Sequence, residues 1–118
     1  LDKFKLRLNM IKTLTLIEKF INFLEILNVK EGYCIKFIKL CIFLNEGEGF
    51  ASNNDLKLIW KVELPNVYIV LEHFVDIGLI SITKKDRNSK LPVGLQRYII
   101  ISSQVLIFLQ NFVKKELQ

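Results

Sequence analysis

Alanine and histidine each occur once in these 118 residues, and cysteine occurs twice. Two cysteines are too few for a disulfide framework. Cys34 and Cys41 stand seven positions apart, a separation of about 10 Å along one helix, which an intramolecular bridge does not span. Buried free thiols are expected, with an intersubunit bridge across a two-fold axis as the alternative. His73, the single histidine, has no cysteine or second histidine to share a metal ion and no recognisable triad partner. A phosphate-cradling glycine loop, a carboxylate pair at catalytic spacing and a cluster of metal ligands are all missing from the pattern. No enzymatic activity, metal or other cofactor is therefore expected, and no convergent polar set points to an effector pocket.

Long hydrophobic runs are also absent. Every apolar stretch is broken by Lys, Glu or Asn before it reaches the ~18–20 residues of a membrane span. The beginning, Leu1-Asp2-Lys3-Phe4-Lys5, lacks the apolar block of a secretory signal, so the cytoplasm is the expected compartment. The scarcity of alanine, with Ile, Lys, Asn and Phe plentiful, points to an AT-rich genome of an archaeon, its virus or a low-GC bacterium.

What is present is apolar and basic. Half the chain (51%) is hydrophobic and mean hydropathy is +0.31. That is more apolar surface than one small core holds, and the surplus is expected in a homodimer interface. Net charge is +5, unevenly spread: residues 1–45 carry eight basic and four acidic side chains, 46–80 two and six, and 81–118 seven and two. Positive charge thus gathers at the two ends, around an acidic middle.

No internal repeat or long linker divides the chain, and a single domain over residues 1–118 is expected. Residues 1–12 fit both strand and helix periodicity. Thr15 and Glu18 have the spacing of a capping box, which predicts a helix start at Thr15. Phe20, Phe23, Leu24 and Leu27 then crowd more than one face of that helix. A second helix begins near Gly32, its core face made by Cys34, Phe37, Ile38, Cys41, Ile42 and Leu44, and it stops at Gly47 and Gly49. Phe50-Ala51 reads as a short strand or an extended link.

Ser52 and Asp55 repeat the start signal for a third helix with Leu56, Ile59 and Trp60 inward and Lys57 and Lys61 outward. A turn at Glu63-Leu64-Pro65 opens a fourth, whose buried stripe is Val67, Val70, Leu71 and Phe74; proline suits a first helical turn. Asn66, Tyr68, Ile69, Glu72, His73 and Asp76 remain on its outer side. Gly78 ends it. A hairpin follows: residues 79–84 alternate as a strand, 85–94 form a polar loop, and the β-branched residues 95–101 return. Ser102 or Ser103 caps a last helix with Phe108, Leu109, Phe112 and Val113 on its apolar face.

The capped helix with its inward Leu56, the segment Phe74-Val75-Asp76-Ile77-Gly78-Leu79-Ile80, and the basic stretch Lys85-Asp86-Arg87-Asn88-Ser89-Lys90 together resemble the winged helix-turn-helix transcription regulators. Within these the chain is most similar to the MarR group. The resemblance covers about fifty residues as motif and nearly the whole chain as architecture. It departs at Ile77, where a charged residue is usual. It implies a mainly α fold with a small β-hairpin wing: a winged helix-turn-helix core at 33–102, with dimerisation helices at 1–31 and 103–118. It further implies sequence-specific binding of double-stranded DNA by a homodimeric transcriptional regulator. The helix 65–78 would enter the major groove and the wing 84–97 would lie on the backbone and minor groove.

Carried over residue by residue, Asn66, Tyr68, Ile69 and His73 would face the groove. Lys84, Lys85, Arg87, Asn88, Lys90 and Arg97 in the wing, with Lys57 and Lys61 before it, would meet the backbone. Phe20, Phe23, Leu24, Leu27, Phe108, Leu109, Phe112 and Val113 would form the dimer seam. The helix 65–78 holds no Lys or Arg, although those residues make the commonest specific major-groove contact. The competing expectation is a winged-helix protein-interaction module of a transcription or replication assembly.

Overall fold

The first helix is settled by two threonine hydroxyls. In the computed structural model, which describes residues 2–83 and 95–116, Thr13 Oγ1 donates to the Asn9 carbonyl and Thr15 Oγ1 to that of Ile11, each at 2.9 Å. A hydroxyl satisfied by the carbonyl four residues back no longer caps anything. The helix start predicted at Thr15 therefore does not occur, and α1 runs unbroken from Asp2 to Ile26. It closes at Asn28, whose φ of 69° lets the Val29 N–H reach the Leu24 carbonyl at 3.0 Å.

A 3₁₀ turn, Glu31–Tyr33, leads into α2, Cys34–Glu46. Phe37, Leu40 and Leu44 of α2 are buried, whereas Ile42, expected inside, is exposed. Both cysteines are free; Cys34 is buried, and burial pushes the Cys41 thiol up to about 12. After α2 the chain reverses through Gly49. Its φ is +95°, and a Cβ there would stand 2.6 Å from the Tyr98 ring, so only glycine fits.

β1, Phe50–Ser52, comes next. Ser52 then caps α3, Asn53–Trp60: its hydroxyl accepts the Asp55 N–H at 3.1 Å, and the Asp55 carboxylate accepts the Ser52 N–H at 2.9 Å. α4, Leu64–Asp76, ends as expected at Gly78, with Leu79 N–H to Phe74 O at 2.9 Å and Gly78 N–H to Val75 O at 3.0 Å.

The strands that follow are shorter than expected. β2 is Ile80–Ser81, β3 Gln96–Tyr98 and β4 Ile100–Ile101. β2 pairs antiparallel with β4, and β3 pairs antiparallel with β1, Ala51 opposite Arg97. The returning segment is thus gripped by two different partners. α5, Ser103–Glu116, starts at Ser102, whose hydroxyl accepts the Val105 N–H at 3.4 Å.

The core is an aromatic chain threaded through five helices. Phe74 of α4 meets Phe37 of α2 edge-on at 5.1 Å and Trp60 of α3 at 6.2 Å; Phe37 meets Phe20 of α1 at 6.3 Å; Phe20 meets Phe108 of α5 at 5.8 Å. Trp60 Nε1 also donates to the Lys36 carbonyl at 2.9 Å, pinning α3 to α2.

The dimer seam inferred from sequence needs correction here. Phe20 and Leu24 are buried inside one chain, Phe23 stacks on Phe108 at 4.1 Å, and Leu27 and Leu109 pack on the same core. Periodicity signals that a face is covered, and this face is covered by the chain's own α2 and α5. The side chains of Phe112 and Val113 lie outside the described set. The apolar residues left exposed are elsewhere, chiefly Leu6, Met10, Ile11 and Leu14 on the first half of α1. Among the described residues no helix is long and apolar enough to cross a membrane.

Candidate nucleic-acid interface

α3 and α4 are joined by residues 61–63 alone. Lys61 occupies the left-handed region, φ 55° and ψ 48°, a conformation that costs a residue with a Cβ and suits glycine better. The Val62 N–H reaches back to the Lys57 carbonyl at 3.2 Å, so α3 ends abruptly. Glu63 in extended conformation and Pro65 in the first turn then launch α4.

The corner encloses an open cleft of 520 Å³ lined by Asn54, Lys57, Leu58, Lys61, Val62, Glu63 and Asn66. Lys61 and Asn66 are exposed and Lys57 is half-buried. Three of the DNA-contact residues inferred from sequence, Lys57, Lys61 and Asn66, therefore share one concave surface. Two ammonium groups and two carboxamides beside the N-terminus of α4 make it suited to an anionic oxygen, with Glu63 the opposing charge. Asn54 and Leu58 escaped the sequence reading. The signal was present, since 54, 57, 58 and 61 follow the spacing of one helical face.

Farther along α4, Ile69 is exposed and Tyr68 half-buried, in line with the outer side assigned to them. His73 shares that side by spacing, four positions after Ile69 and seven after Asn66, but it is half-buried and engaged within the chain. Its Nε2 accepts the Lys30 N–H at 3.3 Å, and its ring meets Tyr33 edge-on at 5.0 Å. One position before the fully buried Phe74, it lies on the flank of α4 that abuts the 3₁₀ turn. Arg97, by contrast, is no surface contact: it is 1% exposed. Strand alternation puts 97 and 99 inside and 96, 98 and 100 outside. Lys84, Lys85, Arg87, Asn88 and Lys90 lie outside the described residues.

An Nε2 that accepts carries no proton, so the fold selects the neutral ring of His73 with its hydrogen on Nδ1. Burial first, then the Lys30 charge, lowers its pKa, against a weaker opposing pull from Asp76. A folded-state value below the unfolded ~6.5 means that the unfolded chain takes up the proton first. This contribution to stability is complete above pH ~6.5 and declines as pH falls through the folded value. Urea unfolding of wild type should therefore lose more stability on acidification below neutrality than His73→Gln does. Parallel pH profiles would remove the role given to the Lys30 contact.

Among the described residues no group of three or more His, Cys, Asp or Glu is placed to hold a metal ion. In comparisons with known proteins, no family model, no curated protein and no solved structure matches the chain. What the described residues define is a mainly helical fold with small antiparallel strand pairs.

Proposed function

We propose that the chain is a winged helix-turn-helix protein that binds double-stranded DNA as a homodimer and regulates transcription in the cytoplasm. The observation that carries this reading is the α3–turn–α4 corner followed by returning strands, with Lys57, Lys61 and Asn66 around one cleft. α4 enters the major groove, where the paired donor and acceptor of Asn66 suit an adenine edge and Ile69 suits a thymine methyl. Lys57 and Lys61 meet the backbone beside it, and the cations at 84, 85, 87 and 90 add charge from the segment between β2 and β3. Affinity then comes from phosphates and discrimination from few base contacts and DNA shape.

A second reading is favoured by the outer side of α4, where Ile69 is 53% exposed and the helix presents Glu72 and Asp76 without a single Lys or Arg. Such a surface fits a protein partner in a transcription or replication assembly. Fluorescence anisotropy with generic duplex DNA at low salt separates the two. Binding tighter than ~100 μM is expected from the non-specific electrostatic term alone. Its absence would overturn the DNA reading and leave the protein-interaction surface.

A further inference from the structure

From Lys5 to Leu14 every side chain of α1 is exposed. Leu6 is 62%, Met10 63%, Ile11 59% and Leu14 56% exposed. A helical segment of this length without tertiary cover is marginal in water, and an exposed apolar stripe on it marks a contact surface. Part of the stripe also points away from this chain's own core. Counting a little over three and a half residues per turn, Ile11 lies roughly opposite Phe20, which packs on Phe37 of α2 and Phe108 of α5, and Leu14 points to one side of it, whereas Leu6 shares the direction of the buried Leu24. That divergence leaves room for another helix along the outside of α1.

The order of residues on this stripe identifies the occupant. Arg7, Ile11, Leu14 and Glu18 fall on one face, with Ile11 four after Arg7 and Leu14 four before Glu18. The spacing is palindromic while the charges at its ends are opposite. We propose that α1 pairs antiparallel with α1 of a second copy, about a two-fold axis midway between Ile11 and Leu14. The operation that sets Ile11 against the partner copy's equivalent of Leu14 also sets Arg7 against its equivalent of Glu18, twice per dimer. Met10 flanks the apolar centre. A parallel pairing in register would place arginine on arginine, so charge selects the antiparallel arrangement. Each half-exposed Ile, Leu or Met that the pairing covers strengthens it by a factor of about five.

This refines the homodimer of the proposed function and rests on that part of it, but does not depend on DNA binding. Its test is charge reversal read by sedimentation equilibrium at micromolar concentrations. Arg7→Glu and Glu18→Arg each turn two attractive contacts into repulsive ones and should weaken the dimer about tenfold or more. The double variant Arg7→Glu/Glu18→Arg should restore it. Ile11→Asp should give a monomer that keeps the folded core, read by the fluorescence of Trp60, because Ile11 is exposed in the single chain. A monomeric wild type, single reversals without effect, or a double variant no better than the singles would each overturn the pairing. Duplex binding measured on the same proteins keeps the two readings apart: DNA bound by a monomeric wild type sinks the pairing alone, whereas a dimer that obeys the charge pattern but ignores DNA sinks the DNA reading alone.

Discussion

Replacing Phe74 with alanine should cost about 3–5 kcal/mol of folding stability, a large share of the ~5–15 kcal/mol that a domain of this size has. Phe74 has no exposed surface. Its ring stands edge-on to Phe37, Trp60 and Tyr33 at 5.1, 6.2 and 6.3 Å, and such geometries add to simple burial. The cavity would open where α2, α3 and α4 meet, so relaxation requires three elements to move together. Trp60, the only tryptophan, is itself one wall of that cavity and reports on it directly. Urea titration followed by its fluorescence should show the midpoint falling with the slope retained. Phe74→Leu, which keeps most of the volume, should lose less. A loss below ~1 kcal/mol for alanine would mean that this ring does not carry the junction. The consequence reaches function, because the same junction sets the angle at which α4 leaves the turn and hence where Asn66 and Ile69 sit.

The residues around this junction also show which parts of the fold were legible. Ser52 with Asp55 and the Val67-Val70-Leu71-Phe74 stripe are local patterns, with a physical cause contained within a few positions, and all were read correctly. So was the stop at Gly78. Thr15 with Glu18 has the same spacing as a cap, but a threonine hydroxyl either accepts an amide ahead or donates to a carbonyl behind. Which one wins depends on whether the preceding residues are already helical, and their own periodicity was ambiguous.

Pairing of Phe50–Ser52 with Gln96–Tyr98 joins segments more than forty positions apart, and no local residue announces it. Arg97 was misplaced for a related reason. In the run from Leu95 to Ile101 apolar side chains occupy both parities, so only the partner strands decide which face is inside. Phe20, Leu24 and Phe108 teach a third lesson. Helical spacing reports that a face is covered without telling whether the cover belongs to the same chain. At the candidate interface Lys57, Lys61 and Asn66 were legible as outward residues flanking a turn. The contact of His73 with Lys30 and Tyr33 was not, since it depends on where the 3₁₀ turn packs.

Joint replacement of Lys84, Lys85, Arg87 and Lys90 by alanine should lower duplex affinity roughly 10³-fold near 0.1 M salt. Each lost phosphate contact removes close to one power of the salt concentration, so the plot of log K against log salt should flatten by about three to four. Lys57→Ala with Lys61→Ala should flatten it by at most about two. The difference follows from the surroundings of each set. Residues 46–80 hold two basic against six acidic side chains, so Lys57 and Lys61 act inside a field that Glu63, Glu72 and Asp76 make negative. The run 84–90 holds four cations and one acid, Asp86. Charge that is not cancelled locally is what displaces counterions from DNA. Salt titrations of the wild type and both variants on one duplex settle the order. A larger loss from the α3 pair would move the main phosphate contact to the cleft at the turn. An unchanged slope in both would remove phosphate neutralisation from the mechanism and turn attention to the uncharged and acidic side of α4 as a surface for a protein.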